Sequence, residues 1–231
     1  AINTDITGRK QYEHQLKKER DRLEDFAKTV AHDLRNPLTI ALGHVEIAQH
    51  RQPDERISEP LETAMSALER MGTVIDEVLT LSEQGETIHE PERVALADVV
   101  TAAWDHVDTA SASLSIGDIS GHMVRADGSR LRTLLENLFR NAVEHGGLDV
   151  TVRVGTLATG EGFVVEDDGP GFPQTDSSRI FDSGFTTSDE GTGFGLAIVR
   201  QVVDAHGWSI VATDGEGTEG GARFEITGVE P

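Results

Sequence analysis

Residues 134–146 read LLENLFRNAVEHG and lie in a helix that we predict over 130–145, ended by Gly146. Asn137 and Asn141 are four residues apart, so both carboxamides lie on one face of that helix. Carboxamide oxygens can ligate Mg²⁺, a cation that also shares phosphate oxygens in proteins. Taken alone, such a pair more often consists of two polar surface residues, so its meaning depends on the surrounding motifs.

Two glycine-rich stretches follow this helix. Residues 166–171 (EDDGPG) end a predicted strand, where an aspartate can accept a hydrogen bond from an exocyclic amine such as that of adenine. Residues 191–196 (GTGFGL) begin a predicted helix, where backbone N–H groups bind phosphate and glycines allow close approach. The second stretch is neither a Walker A loop nor a Rossmann fingerprint, because no Gly-Lys-Ser/Thr follows and its spacing is G-x-G-x-G. The alternatives are an acidic turn and an isolated glycine-rich loop.

Helices and strands are mixed after residue 95. We predict helices over 96–110, 130–145 and 196–206, and strands over 114–116, 123–126, 150–157, 162–166, 208–213 and 222–227. Because this order lacks a regular β-α-β repeat, it favours an α/β sandwich. The 231 residues suffice for one large or two small domains with real cores.

The first part of the chain is predicted to be a helical hairpin. One helix spans 11–50 with a kink at Pro37, and a turn at 52–54 leads to a second helix over 58–83. The apolar seam of the second helix has the spacing of a heptad repeat, through Leu61, Met65, Leu68, Gly72, Ile75, Leu79 and Ser82. Since Ala64, Met71 and Val78 widen this face, one hairpin cannot bury it, and we expect a dimeric four-helix bundle.

His32 is the candidate nucleophile of the hairpin. It lies about 200° around the helix from Val30 and Leu34, so it points away from the apolar seam. The neighbouring Asp33 can fix the imidazole tautomer and stabilise developing positive charge. On its own, an exposed histidine beside an ordinary aspartate is the commoner explanation.

The composition restricts the function classes. The chain has 41 acidic and 20 basic residues, a net charge of −21, and no cysteine. This excludes disulfides and thiolate sites and argues against binding nucleic acid or an anionic membrane. No segment approaches 18 apolar residues, so we expect a soluble, cytoplasmic chain. Because the chain starts without an initiator Met, we expect it to be a piece of a longer protein, either soluble or membrane-tethered as a whole. All four lysines lie within the first 28 residues, and the dense acidity favours adaptation to molar salt.

The order and spacing of these motifs resemble the sensor histidine kinases of two-component signalling, over nearly the whole chain. The matching boxes are AHDLRNPL (31–38) for the H box, LLENLFRNAVEHG (134–146) for the N box, DDGPG (167–171) for the G1 box, RIFDSGFTTS (179–188) for the F box, and GTGFGLAIV (191–199) with GGARFEI (220–226) for the G2 box and its last strand. The resemblance implies an antiparallel helical hairpin that forms a dimeric four-helix bundle, followed by an ATP-binding α/β sandwich of the Hsp90, gyrase and histidine kinase type. Five boxes in order make the match specific.

The resemblance also implies the site residues. His32 would accept the phosphoryl group, Asp33 would act as base, and Asn36 would position water for the reverse dephosphorylation. ATP with Mg²⁺ would contact a set spread over the four later boxes: Asn137, Asn141, His145, Asp167, Gly169, Gly171, Ile180, Phe181, Thr186, Thr187, Thr192, Gly193, Phe194, Gly195 and Leu196. Asn141 and Asn137 would be the metal ligands, and the segment with Phe181 and Phe185 would form a mobile lid.

The resemblance implies domain boundaries and partners. TDITGRKQYEHQL (4–16) resembles the end of a PAS sensor module, so residues 1–15 would end an upstream sensor and 16–84 would form the dimerisation and phosphotransfer hairpin. Residues 85–94 would be a linker and 95–231 the catalytic ATP-binding domain. The partners would be a second copy and the receiver domain of a response regulator, which accepts the phosphoryl group on an aspartate, with no nucleic acid.

One position departs from the family pattern, and two other functions remain as alternatives. Glu144 stands where the family often has Lys or Arg, so Arg140 or Arg179 would have to contact phosphate instead. The first alternative is an ATPase or clamp of the same superfamily, which carries a Glu four residues before its metal-binding Asn. That position is Asn137 here, and Glu136 points about 100° away. The second alternative is a nucleotide-binding signalling scaffold without kinase activity.

Overall fold

The structure is a computed structural model. It describes residues 31, 34–36, 38–48, 55–82, 91–109, 111–147, 149–157, 160–172, 179–186, 191–217 and 220–230, with the side chains of 55–60, 82 and 216–217 left aside. The chain divides into two compact units, residues 1–86 and 87–231. Each unit has its own hydrophobic core.

The first unit is a pair of helices. In α1, residues 31, 34–36 and 38–48 are helical, and α2 spans Glu55–Ser82, three residues longer at its start than predicted. The described core consists of Ala31, Leu38 and Ile75, with Leu42, Leu68 and Leu79 packed against it. A Cβ added at Gly72 would lie 3.5 Å from Leu38, which shows how closely α1 approaches the predicted seam of α2.

A second apolar stripe on this hairpin stays exposed. Met71 and Val78 lie seven residues apart on α2 and are 53% and 38% exposed. On α1, Leu34, Ile40 and Ile47 are exposed as well. Contact between α1 and α2 therefore buries Ile75 and partly covers the rest of the described heptad seam, and it leaves Met71 and Val78 of the wider apolar face exposed.

The second unit combines three helices with two sheets. Its helices are α3 (Leu96–Trp104), α4 (Gly128–Gly146) and α5 (Gly195–His206). Its strands are β1 (Glu92–Ala95), β2 (Ser113–Ile116), β3 (Met123–Ala126), β4 (Thr151–Thr156), β5 (Gly162–Asp167), β6 (Ser209–Gly217) and β7 (Gly220–Thr227). The larger sheet has the order β2-β4-β5-β7-β6, parallel between β2 and β4 and otherwise antiparallel, whereas β1 and β3 form a separate antiparallel pair.

The core of this unit lies between the large sheet and the helices. Alternate residues of β5, Phe163 and Val165, are buried together with Phe224 of β7, because successive strand residues face opposite sides of a sheet. From α4, Phe139 is fully buried and contacts Trp104 edge-on, with ring centroids 5.4 Å apart. The predicted helical hairpin followed by an α/β sandwich is therefore confirmed.

Two local predictions were wrong. Residues 92–94, placed in the linker, belong to β1, a strand specified by its pairing with β3 (Arg93 opposite Arg125) and not by any apolar alternation of its own. The first helix of this unit ends at Trp104 and not at residue 110. There the N–H groups of His106 and Val107 donate hydrogen bonds to carbonyls three residues back, which tightens the last turn and ends the helix.

Within the described ranges, no helix is long and apolar enough to cross a membrane.

Candidate functional site

Asp167 is the last residue of β5, and its side chain is buried. Its Oδ1 accepts hydrogen bonds from the backbone N–H of Gly169, at 3.0 Å, and of Ala222, at 3.1 Å. Burial raises the pKa of this carboxyl above 3.8, the two backbone hydrogen bonds oppose the rise, and Asp168 and Glu166 add to it. Because Oδ1 is oriented from two sides, the second oxygen has a fixed direction in which to accept a proton donor of a ligand.

Glycines pack the backbone tightly around this carboxylate. Gly221 has φ +66°, and a Cβ there would overlap the carbonyl of Asp167. A Cβ on Gly169 would lie 2.5 Å from the Cα of Gly146, the last residue of α4. The N–H of Gly221 also donates to the Gly169 carbonyl at 2.8 Å. Only glycine fits these approaches, so the end of β5, the end of α4 and the start of β7 meet beside Asp167.

The two asparagines of α4 lie under the start of α5. A Cβ added at Gly195 would be 3.3 Å from Oδ1 of Asn137 and 3.5 Å from Oδ1 of Asn141. The Nδ2 of Asn137 donates to the Thr133 carbonyl at 2.8 Å, which leaves its Oδ1 turned toward α5. The Nδ2 of Asn141 is buried and has no hydrogen-bond partner among the described residues. A buried amide without a partner is costly, and a bound ligand would satisfy it.

The start of α5 has free capacity for an anion. Phe194 is the N-cap residue and provides no side-chain cap, and the first turn holds no acidic residue. The first N–H groups of a helix have no partner inside the helix and carry partial positive charge. Together with the unpartnered amide of Asn141, they form a polar cradle that suits phosphate oxygens.

α4 is the element that both glycine-rich stretches share. Gly195 lies over Asn137 and Asn141, and Gly169 lies over Gly146 at the end of the same helix. At 1.5 Å per residue, positions 137 and 146 are about 14 Å apart along α4. The site therefore has a buried carboxylate at one end, at Asp167, and uncapped helix N–H groups at the other end, at the start of α5, both resting on one helix.

The segment between the two glycine-rich stretches is described over 179–186. Ile180 is buried in the core, Phe181 is half-buried, and the guanidinium of Arg200 on α5 lies 5.9 Å from the Phe181 ring centroid. The Gly184 N–H donates to the Gly193 carbonyl at 2.9 Å, and a Cβ at Gly193 would clash with Gly184. These contacts hold the described part of the predicted lid against the start of α5.

The remaining residues from the sequence analysis differ in how they are placed. Thr192, Gly193, Phe194 and Leu196 are half-buried around the start of α5, where Thr192 Oγ1 accepts the N–H of Phe194 at 3.4 Å. His145, Thr186 and Asn36 are exposed. His32, Asp33 and Thr187 lie outside the described residues.

Arg140 and Arg179 are the two candidates for the phosphate contact that a basic residue at position 144 would make, and neither is held by a strong ion pair among the described residues. Glu144 is exposed. Arg179 is 65% exposed and lies 3.9 Å from Asp182, an ion pair of little energetic weight. Arg140 is half-buried and forms no ion pair with any residue that the structure describes. It also follows Asn137 by three residues on α4, which leaves it the better placed of the two arginines.

Several supporting groups were not predicted from the sequence. Gly146 was interpreted only as a helix end, and Ala222 and Gly221 only as part of a final strand, yet they hold Asp167 in place. Arg223 donates to Glu166 at 2.6 Å across β5 and β7. The paired glycines at 146–147 and 220–221 were the available signal, because adjacent glycines often mark close backbone approaches.

Comparisons with known proteins agree with this geometry. The family described as "His Kinase A (phospho-acceptor) domain" matches residues 22–87, and "Histidine kinase-, DNA gyrase B-, and HSP90-like ATPase" matches residues 126–228. The chain is 32% identical over 211 residues to the sensor histidine kinase ZraS of Klebsiella oxytoca, covering 87% of this chain and 45% of that protein. It is 28% identical over 217 residues to the signal transduction histidine-protein kinase AtoS of Escherichia coli strain K12, covering 89% and 35%.

Among solved structures, full-length ShkA in complex with AMPPNP matches 90% of this chain and 46% of that one, with a TM-score of 0.65 at 21% identity, which supports the fold. The chain spans less than half the length of each of these relatives. The two family matches occur in the order that the sequence motifs indicate, one in the hairpin and one in the α/β unit. The chain therefore matches a phospho-acceptor domain followed by an ATPase domain of the histidine kinase, gyrase and HSP90 type, and it is similar to sensor histidine kinases over most of its own length.

Proposed function

We propose that this protein is an ATP-dependent autokinase that phosphorylates His32 and passes the phosphoryl group to an aspartate of a response regulator. The observation that carries the proposal is the two-ended site on α4, with buried Asp167 near one end and the unpartnered amide of Asn141 under the start of α5. An adenine nucleotide has an exocyclic amine at one end and phosphates at the other, so it matches both. The relative ShkA was crystallised with AMPPNP, an ATP analogue, in a related fold.

Mg²⁺ is part of this proposal, because the residues present fit it. The Oδ1 atoms of Asn137 and Asn141 face the same place beside Gly195 and would complete a coordination shell with phosphate oxygens and water. No group of three or more His, Asp or Glu side chains in the described residues could hold a metal by itself. The cation would therefore arrive with the nucleotide, and when bound it would offset the phosphate charge.

The phosphoryl group is transferred in two steps, first to His32 and then to the regulator. A ring nitrogen of His32 attacks the γ-phosphorus, the bond from that phosphorus to the β,γ-bridging oxygen breaks, and ADP leaves with the bond electrons. Asp33 takes the proton that the imidazole loses. The phosphoryl group then moves from the histidine nitrogen to a carboxylate oxygen of the regulator, the P–N bond breaks, and the imidazole takes a proton back from Asp33, which leaves it neutral. Asn36, exposed on α1, would position water for phosphatase action on that regulator.

The proposal extends to the domain roles. Residues 16–84 would dimerise and carry phosphotransfer, 85–94 would connect, and 95–231 would bind nucleotide, with β1 beginning inside the connecting segment. Residues 1–15 would continue from a PAS-like sensor module. The signal enters through that module, and a receiver domain is the phosphoryl acceptor.

The structure weighs against a clamp-type ATPase. Such an enzyme needs a carboxylate beside the metal site to activate water, and Asn137 occupies that position. Glu136 instead lies 3.5 Å from Arg132 in a pair along α4. Hydrolysis of ATP by water is therefore not what this site is built to do. A scaffold without kinase activity would retain the nucleotide site and lack labelling of His32.

A second copy of the chain is the partner that the hairpin favours. Met71 and Val78 continue a heptad stripe that α1 leaves exposed. Pairing two hairpins through these stripes would bury them in a four-helix bundle.

The proposal also includes adaptation to molar salt. A net charge of −21 makes the folded chain repel itself at low ionic strength. The Debye length falls from ~30 Å at 0.01 M to ~3 Å at 1 M salt, so the repulsion is then largely screened. ATP, itself an anion, would also approach the acidic protein more easily.

Asp167→Asn should separate folding from nucleotide binding. Since burial raises the carboxyl pKa above 3.8, the folded protein binds that proton more tightly than the unfolded chain, and ionised Asp167 reduces stability at neutral pH. The neutral variant should melt at the same or a higher temperature at pH 7 without ligand. Its affinity for ADP should fall by about 10- to 100-fold, because an amide donor would face the adenine amine.

The matched control is Asp168→Asn. Asp168 is exposed and accepts the Thr151 N–H at 2.7 Å, a bond that an Asn can also accept. Calorimetric titration should give wild-type affinity for this variant. Equal affinities for wild type and Asp167→Asn would contradict the adenine assignment.

His32→Gln should abolish labelling by γ-labelled ATP and leave nucleotide affinity unchanged. In the wild type the label should be stable to base, labile to acid and dependent on Mg²⁺. His44→Gln, at an exposed position of α1, is the control and should label normally. Label that persists in the His32 variant would show that another residue is the phosphoryl acceptor.

Met71→Asp combined with Val78→Asp should convert the dimer into a folded monomer. Both side chains are exposed in the hairpin, so the change leaves its core intact, but two unpaired charges would have to be buried in the bundle. Sedimentation at micromolar concentration measures the mass. Ile116→Asp, at an exposed apolar residue of β2, should remain dimeric, and a dimer in the double variant would refute the proposed interface.

The melting temperature and the autokinase rate should both rise between 0.1 M and 2 M KCl, as screening removes the repulsion. Thermal melts and initial labelling rates across KCl concentrations measure this. An uncharged osmolyte at equal osmolality is the control and should not reproduce the rise in rate. A melting temperature that stays flat or falls would exclude salt adaptation and leave the kinase assignment standing.

A further inference from the structure

His206, the last residue of α5, connects the two helices that form the nucleotide site. Its Nδ1 lies 2.8 Å from the Val202 carbonyl, and a carbonyl oxygen can only accept, so Nδ1 carries the proton. Nε2 of the neutral ring is then an acceptor. It receives the backbone N–H of Asp127 at 3.0 Å. These two contacts define one tautomer of a neutral imidazole.

Asp127 is the N-cap residue of α4. Its Oδ1 accepts from the Ser129 N–H at 3.0 Å, the Ser129 hydroxyl at 2.6 Å and the Arg130 N–H at 3.2 Å. Its carbonyl accepts the first helical N–H, from Leu131. Since these bonds use only its oxygens, the Asp127 N–H depends on His206 for a partner. The imidazole therefore fixes the point at which α4 begins.

The position of this bond gives it a mechanical role. α5 meets α4 at Gly195, beside Asn137 and Asn141, and again at His206, beside Asp127. The helices are therefore antiparallel, and the two contacts are about 16 Å apart along α5. A pair of helices held at both ends cannot slide along its axis without breaking one contact. The axial position decides how the start of α5 faces the asparagine amides.

The ring itself is held firmly. It stacks on Trp208, with ring centroids 4.3 Å apart and an interplanar angle of 27°. The next residue, Gly207, has φ +72°. The N–H groups of Gly207 and Trp208 donate hydrogen bonds to carbonyls in the last turn of α5. A ring that is fixed in place transmits the position of α5 to Asp127 more accurately than a mobile side chain.

We propose that His206 is a positioning residue of the nucleotide site, which as a neutral acceptor sets the alignment of α5 on α4 and releases it when protonated. This inference rests on the proposed nucleotide function. An imidazolium would turn a second donor toward the Asp127 N–H, and both donors would be left unsatisfied. The phosphate end would suffer first, because Gly195 moves with α5, whereas Asp167 belongs to the sheet.

The surroundings determine the direction of the pH effect. Burial lowers the pKa of His206 below 6.5, while the Val202 hydrogen bond and the charge of Asp127 oppose the shift and Arg130 adds to it. Asp127 and Arg130, both on α4, are the charged groups facing the ring, and Trp208 contributes no charge. The neutral ring is favoured in the fold, so the alignment is complete above pH 6.5 and is lost as the pH falls through the folded pKa of His206, which lies below 6.5.

The test compares wild type, His206→Gln and His206→Phe, each as the full chain, by titration with Mg·ADP and with adenosine. Gln can place its Oε1 near the position of Nε2 and does not titrate, whereas Phe retains the stacking and lacks the acceptor. At about pH 8, Phe should weaken Mg·ADP about tenfold and adenosine less than about twofold, with Gln close to wild type. His106→Phe is the control, since His106 makes the same bond to a carbonyl four residues back, yet is exposed at the end of α3.

The pH series provides the decisive comparison. Because the terminal phosphate of the nucleotide also titrates near pH 6, affinity is taken as the ratio of wild type to Gln at each pH. We expect that ratio to be constant above pH 6.5 and to fall below it, by up to about tenfold, as the ring of His206 becomes protonated. A constant ratio would overturn the proposal, whether or not the Phe variant folds, and so would equal losses of Mg·ADP and adenosine in a folded Phe variant. A wild type that does not bind Mg·ADP at about pH 8 would instead refute the proposed nucleotide function.

Discussion

Two backbone N–H groups, from Gly169 and Ala222, hold one oxygen of the buried Asp167 carboxylate. They come from segments 53 residues apart in the sequence, so the bond exists only when the turn after β5 and the start of β7 are both in place. Burial works against the charge, and the pKa of the carboxyl rises accordingly. The fold thus maintains an unfavourable ionised group in a fixed direction, which is typical of a residue retained for binding.

The close backbone contacts follow from this constraint. For Asp167 to be reached from two sides, three chain segments must approach one another without side chains between them, and Gly146, Gly169 and Gly221 provide that space. Arg223, between Glu166 and Glu225 on the opposite face of the sheet, secures β5 to β7 where the site needs them aligned. Its side chain is largely buried, so this network is less exposed to solvent than most of the other described ion pairs, and the Arg130–Asp127 pair is similarly buried.

The local features of the sequence predicted most of this architecture, and the long-range contacts explain what was missed. α4 and α5 were predicted within two residues at each end, because their apolar periodicity and the glycines beyond them are local signals. β1 was missed because a four-residue strand with two leading charges is specified by its partner β3. The sequence motifs indicated Asp167, Asn137 and Asn141, but not the Gly146–Gly169 approach or the acceptor role of His206, since both join residues distant in the chain.

Charge is the remaining constraint, since a chain with a net charge of −21 has to receive an anion. The first turn of α5 is free of acidic residues, its N–H groups are uncapped by any side chain, and the nearest side chains from α4 are neutral amides. A helix terminus supplies partial positive charge without a lysine or arginine that a dense acidic surface would neutralise. Under the proposed function the departure at Glu144 has a physical meaning, because a site that used backbone donors and a cation carried with the nucleotide would not depend on a basic side chain at that position.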